Sequence, residues 1–533
     1  MEQGAEFDFI VVGAGSAGCV LANRLSASGR HSVLLLEAGG EDDDLWIHIP
    51  LGYGKHFRNP RVNWLYQSEA DEKTGSRRIL QPRGKVLGGS SSINGLVYIR
   101  GQREDYDDWR DFGNAGWGYA DVLPYFRKSE DNQRGANEYH GVGGPLSVSD
   151  TADSHPLCDA FFAAAGACGY PLNPDFNGAR QEGFGYNQVT QRNGRRCSAA
   201  VGYLRPARGR ANLSIATGAH ATRILFSGRR ATGIEYLRGG AKQSARARRE
   251  VMLSAGAFNS PQLLQLSGLG PAAHLQALGI PVVADMPGVG ANLQDHYNGR
   301  LVFEATRAFT LNDVVGSPLK KLREGLRYLF LRRGFLTLGA STATGFLAAE
   351  PGATRPDTQV GLVLYSTEKS GDELHRFPGF TLLVRLLKPE SRGTVLLKSA
   401  DPLAAPAIRP NYLATPGDCE LLVAGMKIAQ RLADAEPLRG YVARVHEPAQ
   451  PLKNDDAWLQ YLRERGGISY HPVGTCRMGN DAAAVVDPRL RVRGFEGLRV
   501  IDASIMPTLI SGNTNAPTIM IGEKGADLVL ADA

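Results

Sequence analysis

The sequence is poor in cysteine, and its cysteines follow no pattern that binds metal or builds disulfides. No two of the six stand as Cys-x-x-Cys or at a regular spacing, whereas zinc sites and disulfide frameworks depend on such spacing. Scattered thiols are typical of a reducing compartment. We therefore expect no metal site and no disulfide framework. The cysteines are Cys19, Cys158, Cys168, Cys197, Cys419 and Cys476.

The chain also lacks a long hydrophobic run and a block of charge of one sign. No stretch reaches the roughly 18 apolar residues that indicate a transmembrane helix. The first apolar run leads into a glycine-rich turn and not into a signal-peptide cleavage site. The formal net charge of +6 is mild for 533 residues, so nucleic acid is not an expected partner. These absences predict a cytoplasmic protein.

What the chain has is enough length and apolar content for more than one core. The composition is 43% hydrophobic and 21% charged, which is typical of globular proteins. A chain of 533 residues is too long for one ordinary core, so we expect two structural regions. The 64 glycines predict many tight turns and close backbone approaches.

The N-terminal segment predicts a dinucleotide-binding unit. Residues 9–12 are a short apolar run of the kind that forms a buried parallel strand. Gly13 then permits a tight turn, Gly15 lets backbone approach a pyrophosphate, and Gly18 lets helix and strand pack closely. A second strand ends at Glu37, whose carboxylate can accept hydrogen bonds from ribose hydroxyls. This arrangement does not distinguish NAD from FAD.

Four longer segments resemble the motifs of the glucose–methanol–choline (GMC) oxidoreductases, a flavoprotein family. The resemblance covers the chain from Phe7 to about Leu528 and is nearest to the branch of choline-dehydrogenase-like and aliphatic alcohol dehydrogenases. The segments are residues 83–94 (RGKVLGGSSSIN), 256–270 (GAFNSPQLLQLSGLG), 471–479 (HPVGTCRMG) and 513–518 (NTNAPT).

The resemblance implies an α/β fold with two domains that interleave along the chain. A Rossmann-like FAD-binding domain is expected from residues 1–155, 200–295 and 465–533. A discontinuous α+β substrate domain, built on an antiparallel or mixed sheet, is expected from residues 156–199 and 296–464.

The resemblance also assigns residues to noncovalent FAD. Some relatives tether FAD through a histidine at the position of Ile93, and isoleucine has no nucleophilic atom for that bond. Asp502 and Ala503 are expected over the pyrophosphate and ribityl region, and Ala221 beside the adenine. With the residues of the glycine turn, the full expected set is Gly13, Gly15, Gly18, Glu37, Val86, Asn94, Gly95, Val97, Ala221, Asp502 and Ala503.

For catalysis the resemblance assigns His471 as the general base and Asn515 as the amide that orients the substrate hydroxyl. Histidine suits proton abstraction because its ordinary pKa lies near the working pH, and an amide can bind a hydroxyl without adding charge. Asn513 is expected to serve the turn. Cys476 is expected to pack and not to act as a nucleophile. Tyr470, beside the base, is expected to line the pocket.

These assignments predict oxidation of a primary alcohol to the aldehyde, with electrons passed to a quinone-like acceptor. An oxidase that reduces O2 to hydrogen peroxide is the alternative, and a flavin-containing lyase or decarboxylase of the same family is a further one. A nicotinamide enzyme is opposed by both signature segments. Because no charged cluster stands near the motifs, a neutral alcohol is favoured over choline. The oligomeric state stays open.

One segment raises the question of a membrane partner. Its leucines at helical spacing, set among basic residues, fit an interfacial helix on anionic lipid at the inner face of a membrane, near a quinone pool. They also fit an ordinary helix with a buried leucine face, which we favour. The residues are Leu319, Leu322, Leu326 and Leu329, with Lys320, Lys321, Arg323, Arg327, Arg332 and Arg333.

Overall fold

The computed structural model describes residues 4–369 and 371–533. Residues 1–3, which belong to the expected FAD-binding segment 1–155, lie outside this range. Within this range fourteen strands form two large sheets. In chain order they are β1 (Ala5–Val12), β2 (Val33–Leu36), β3 (Gly183–Tyr186), β4 (Leu213–Ala216), β5 (Ala219–Ser227), β6 (Arg230–Arg238), β7 (Ala241–Leu253), β8 (Tyr297–Ala305), β9 (Ala343–Leu347), β10 (Thr358–Val363), β11 (Gly379–Leu386), β12 (Val442–Glu447), β13 (Gly467–Ile468) and β14 (Leu498–Val500).

The first sheet has the strand order β4-β2-β1-β7-β6-β5, with β14 also paired to β7. Strands β4, β2, β1, β7 and β14 run parallel, and β5 and β6 join as an antiparallel hairpin. The predicted strand at residues 9–12 is the buried end of β1, with Phe9 opposite Val33 and Val12 opposite Leu36. The α/β prediction is confirmed.

The second sheet is antiparallel, in the order β12-β8-β11-β10-β9-β3 with β13 beside β8. The strands of the first sheet fall within the expected FAD-binding segments, and those of the second within the expected substrate segments, except β13. Gly467 and Ile468 follow the expected boundary at residue 465 yet pair with β8. We keep the two-domain division as a proposal, which this segregation of strands supports.

The helices cover the sheets and lead into the loops between them. Helix α1 packs on α14 beside the first sheet, and α12 packs on β8, β10 and β11 of the second. No described helix is both long and apolar enough to cross a membrane. The helices are α1 (Ser16–Ser26), α2 (Leu45–His48), α3 (Tyr53–His56), α4 (Arg103–Asp111), α5 (Tyr119–Ser129), α6 (Pro156–Ala167), α7 (Arg205–Ala207), α8 (Gly256–Leu266), α9 (Ala272–Ala277), α10 (Leu311–Gly316), α11 (Pro318–Leu331), α12 (Pro416–Asp434), α13 (Asp455–Arg465) and α14 (Asn515–Ala531).

Helix α11 corrects one expectation. Its leucine face, which we expected to be buried, is exposed to solvent, and Leu319 keeps 76% of its accessible surface. The face turned to the protein instead contains Glu324 and Tyr328, both buried. The reason is local packing: Tyr328 donates a hydrogen bond to the Gly194 carbonyl, and Glu324 accepts one from the Phe335 amide. The leucines are left facing outward.

Candidate active site

A single cavity connects the glycine turn after β1 with the C-terminal motifs. One end is lined by Gly13, Gly15 and Glu37, and the other by His471 and Asn515. Strands of both sheets contribute to its wall, and so do the signature segments around residues 83–95 and 254–259. The cavity therefore brings together residues that are hundreds of positions apart in the chain.

Glycines shape the first end of this cavity because side chains would collide there. A Cβ on Gly13, whose φ is +99°, would lie 2.6 Å from the Ser254 carbonyl oxygen, and one on Gly18 would lie 1.8 Å from the Gly13 oxygen. A Cβ on Gly89, whose φ is +53°, would lie 2.6 Å from the Cα of Gly15. These contacts form a bare backbone cradle of the kind that admits a pyrophosphate.

Glu37 lies at the edge of the cradle with its carboxylate turned to the backbone. One oxygen accepts from the Ala14 amide at 2.9 Å and the other from the Gly39 amide at 2.8 Å. Burial raises the pKa of this carboxyl to about 7. Each carboxylate oxygen has a further lone pair, so a ribose hydroxyl can still bind here.

Most of the remaining expected FAD residues lie in the cavity wall. Asn94, Gly95, Val97, Ala221 and Ala503 line it, together with Asp502 and Ile93. Gly18 packs beneath the turn, as its predicted role requires. Val86 does not line the cavity in the part of the chain described: it is fully buried in a cluster with Ile47 and Val62, behind Ile93.

Asp502 has a structural function that the sequence did not indicate. Its carboxylate accepts from the Gly256 amide at 2.8 Å, from the Ser260 hydroxyl at 2.5 Å and from the Ser504 amide at 2.8 Å. It therefore joins the start of α8 to the C-terminal segment and fixes the cavity wall between them.

Arg196 holds the first signature loop, and sequence reasoning missed it. The buried guanidinium donates to the carbonyl oxygens of Ile47, Ser91 and Asn94 and to the Asn94 side chain, at 2.6–3.0 Å. Burial lowers the pKa of Arg196 to about 9. The only signal in the sequence was an arginine pair, residues 195–196, without an acidic neighbour.

His471 is buried at the far end of the cavity and is fixed through its backbone. Its amide donates to Asp295 Oδ1 at 2.7 Å, and the same oxygen accepts from the His296 amide at 2.8 Å. Two residues further on, Val473 pairs with Gln294 through hydrogen bonds in both directions. Burial, with positive charge nearby, lowers the pKa of His471 well below its ordinary value, so the imidazole is neutral near pH 7.

A chain of hydrogen bonds determines which nitrogen of His471 carries the proton. His296 Nε2 lies 3.1 Å from the Leu387 carbonyl oxygen, which can only accept, so Nε2 donates. Burial lowers the pKa of His296 to about 3, so this imidazole is neutral and its Nδ1 is an acceptor. That Nδ1 lies 2.9 Å from Nδ1 of His471, which must donate. The lone pair of His471 is therefore on Nε2, facing the cavity.

The two asparagines have contacts opposite to those expected. Asn513 Nδ2 donates to His471 Nε2 at 3.0 Å. Asn515, in the first turn of α14, accepts from the Ser16 hydroxyl at 2.8 Å and so ties that helix to the glycine turn. Both asparagines line the cavity, but Asn513 is the amide beside the base. The sequence contained both in one motif and offered no way to choose between them.

Two arginines give this end of the cavity positive charge. Arg83 and Arg385 line it, and both lower the pKa of His471. The sequence contained no charged cluster near the motifs, but folding brings Arg385 into the cavity beside Arg83 of the first signature segment. Tyr470 lines the cavity as expected.

The cysteines show no reactive arrangement in the described residues. All six are free, and Cys476 is completely buried. Burial raises the pKa of the Cys476 thiol well above its ordinary value. A buried thiol of this kind is unreactive, which supports the expected packing role.

Comparisons with known proteins agree over nearly the whole chain. Models of the GMC oxidoreductase family match residues 7–298 and 389–522. The chain is 44% identical to an alcohol dehydrogenase (acceptor) of Pseudomonas putida, with 98% of this chain and 96% of that protein covered. It is 43% identical to mitochondrial choline dehydrogenase of Homo sapiens, covering 99% and 90%. The crystal structure of pyridoxine 4-oxidase from Mesorbium loti superimposes with a TM-score of 0.89 at 32% identity, covering 98% of each chain.

Proposed function

The chain belongs to the GMC oxidoreductase family, and we propose that it oxidises a primary alcohol to the aldehyde with bound FAD. The observation that carries this proposal is the Nε2 lone pair of His471, placed beside the Asn513 amide in the cavity that begins at the glycine turn. A base and a hydroxyl-binding amide within one hydrogen bond of each other suit alcohol oxidation.

The cavity fits FAD. The cradle of Gly13, Gly15 and Gly89 would hold the pyrophosphate, and Glu37 would bind a ribose. When bound, FAD supplies the acceptor for the hydride that leaves the alcohol carbon. Ile93 lies in the cavity wall and offers no atom for a covalent bond, so we propose noncovalent binding.

His471 and Asn513 would bind the same substrate oxygen. Nε2 of His471 accepts from Asn513 Nδ2 at 3.0 Å. A substrate hydroxyl that displaces this bond would donate to His471 Nε2 while its oxygen accepts from Asn513 Nδ2. His471 then takes the hydroxyl proton. Its burial excludes water from the oxygen and keeps the base neutral until substrate arrives. Asn515 was expected in this role; we give it to Asn513 because of the observed contacts.

Anaerobic flavin reduction tests this reaction directly. Purified protein is mixed with primary, secondary, aryl and quaternary-ammonium alcohols in a stopped-flow instrument, and the flavin absorbance is followed. Bleaching by primary alcohols supports the proposal. Absence of bleaching by every alcohol contradicts it and favours the lyase alternative. Mixing reduced enzyme with oxygen then separates the acceptors, since slow reoxidation supports a dehydrogenase and fast reoxidation an oxidase.

For the electron acceptor we propose a quinone-like molecule, reached by a cytoplasmic protein at the inner face of a membrane. The supporting feature is the outward apolar face of α11. Seven of the fourteen large hydrophobic side chains that are exposed in the described structure fall between Val315 and Leu331. Such a concentration marks an interaction surface and not scattered surface leucines. The seven are Val315, Leu319, Leu322, Leu326, Leu329, Phe330 and Leu331.

The charges around this face are those that attract anionic lipid. Lys321 and Arg323 are exposed on α11, and Arg195 is exposed on the hairpin that contacts its end. None of the three is ion-paired in the part of the chain described. The single acid of α11, Glu324, is buried. An apolar stripe with unpaired basic flanks matches the boundary between headgroups and acyl chains. We therefore propose an anionic bilayer as the partner.

This surface is close to the cavity along the chain. After α11 the chain forms a short turn at Phe335–Thr337, which packs against Pro50–Gly52. It then reaches Ala340 and Ser341, which line the cavity. A lipid-soluble acceptor or alcohol would thus be concentrated near the site.

Co-sedimentation with lipid vesicles tests the membrane proposal. We expect binding to vesicles of phosphatidylglycerol and phosphatidylcholine, weakened by salt, and none to phosphatidylcholine alone. The variant L322S/L326S/L329S should bind at least about tenfold less, since each buried leucine contributes about 1.5–3 kcal/mol. K321Q/R323Q should also bind less. The controls L172S/L403S and R223Q/R246Q remove exposed leucines and arginines elsewhere.

Three outcomes would contradict the membrane proposal. The first is that the wild type does not bind anionic vesicles. The second is that the α11 variants bind as well as the controls. The third is that light scattering reveals a dimer that L322S/L326S/L329S dissociates. In the last case a second copy of this chain, and not a bilayer, covers the apolar face of α11. Unchanged activity with a soluble dye acceptor would confirm that each variant is folded.

A further inference from the structure

Arg385 places a positive charge in the interior of an apolar strand. It lies on β11, directly opposite Asn298 of β8 and Gln359 of β10. All three side chains line the cavity that contains His471. A charged residue at this position points to a ligand, because it faces the cavity in a strand whose other residues, apart from Thr381, are apolar or glycine.

The surroundings of Arg385 differ from those of the other buried arginines. In the described chain four arginines are buried. Arg100 and Arg499 form ion pairs with carboxylates, and Arg196 donates four hydrogen bonds. Arg385 has a single hydrogen bond and no carboxylate partner, although it is only 8% exposed.

Several donors of Arg385 are left for a ligand. Its one acceptor is the neutral Oε1 of Gln359, which is 3.0 Å from Nη1. Nε is buried and has no partner. Desolvation alone lowers the pKa of Arg385 to about 10, so the group remains a cation at neutral pH. An unpaired buried charge is costly, and an anion in the cavity would remove that cost.

We propose that Arg385 binds a carboxylate of the substrate, so that the preferred substrates are hydroxy acids with a primary hydroxyl. Guanidinium binds carboxylate through two parallel N–H donors. Asn298 and Gln359 supply further polar contacts on the same wall. The hydroxyl end would lie at His471 and Asn513, because they line the same cavity. The proposal rests on the proposed alcohol oxidation.

Binding of an unreactive carboxylate is the first test. A linear monocarboxylate is titrated into the oxidised holoenzyme, and the change in flavin absorbance gives the dissociation constant. R385M should weaken binding about 10- to 100-fold, as expected for a lost charge-assisted hydrogen bond. R385K keeps the charge and should recover part of the affinity. The uncharged amide of the same length should bind all three proteins alike.

The second test compares kcat/KM for an ω-hydroxycarboxylate and for a linear primary alkanol of the same carbon number. The wild type should prefer the hydroxycarboxylate, and R385M should abolish that preference because it lowers kcat/KM more for the hydroxycarboxylate than for the alkanol. Equal losses for both substrates would overturn the proposal, because Arg385 would then act on the reacting oxygen. Absence of carboxylate binding by the wild type would also overturn it. If carboxylate binds through Arg385 but no alcohol bleaches the flavin, the carboxylate site is supported and the proposed alcohol oxidation is contradicted.

Discussion

At the scale of single residues, the proposed chemistry depends on one proton position. His471 can act as a base only if Nε2 carries no proton, and His296 fixes this by accepting from Nδ1. The Leu387 carbonyl oxygen in turn fixes His296. Three groups from distant parts of the chain thus prepare a neutral base before substrate binds.

The two asparagines are distinguished by paired variants. Asn513→Ala should slow anaerobic flavin reduction about 10²-fold or more, because it removes an amide that binds the reacting oxygen. Asn515→Ala should slow it much less and should instead loosen the contact with Ser16. His471→Ala should lose about 10²- to 10⁴-fold while FAD stays bound. A larger loss for Asn515→Ala than for Asn513→Ala would contradict our assignment.

The pH dependence of flavin reduction follows from the lowered pKa of His471. Since the neutral form is the base, the rate should be level from about pH 6.5, the ordinary histidine value, to pH 8. It should fall only as the pH drops towards the lowered pKa. His296→Leu should lower the rate of flavin reduction in the level pH range at least about tenfold, since the proton of His471 can then move to Nε2. His296→Asn keeps an acceptor and should restore part of the rate. An acid limb centred above pH 7 would contradict this account.

At the scale of elements, the cavity is made by loops that pack backbone on backbone. The loop at Gly89 approaches the turn after β1 so closely that Gly89 tolerates no side chain at the contact. Helix α14 is joined to the same turn through Asn515 and Ser16. Helix α11 differs from these loops, because Glu324 and Tyr328 pack against the protein while its leucine face is exposed to solvent.

Gly89→Ala tests the backbone contact in the cradle. The new Cβ would lie 2.6 Å from Gly15 Cα, so FAD affinity should fall by at least about tenfold. Gly228→Ala is the matched control, because Gly228 has a similar φ of +60° and nothing within 4 Å. Both variants should lose about 1–2 kcal/mol of stability from the left-handed conformation. Fluorescence titration of FAD and thermal unfolding separate the two effects, and equal FAD affinities would contradict the role of the cradle.

At the scale of the whole molecule, the cavity lies where the two sheets meet. Arg385 and Leu383 come from the second sheet, and Val12 and Ala221 from the first. A ligand that fills this space contacts both proposed domains. The bound cofactor should therefore contribute to the stability of the entire chain.

Removal and return of the cofactor test this. Denaturation in guanidinium should release all of the flavin into the filtrate, since no covalent bond is expected at Ile93. Adding FAD to apoprotein at about 100 times its Kd should stabilise the fold by about 2.7 kcal/mol and raise Tm. Flavin retained on the denatured chain would contradict noncovalent binding. An unchanged Tm would contradict the bridging role.

Several parts of this protein follow from patterns that are local in the chain. The strand, glycine turn and second strand at the N-terminus follow from apolar patterning and from the conformational freedom of glycine, and the motif at His471 identified the family. These two inferences depend only on residues that are close together in the chain. Long elements such as α11 were also predicted, since helical spacing is a local property.

Which side chains meet and which faces are covered depends instead on how distant segments pack together. The motif contained both Asn513 and Asn515, and the rotation of the chain into α14 set which one reaches His471. Arg385 lies about 85 residues before His471, so its charge in the cavity depends on how β11 is placed in the second sheet. The leucine pattern of α11 predicted a helix but not its orientation, because burial depends on what the rest of the chain presents to each face.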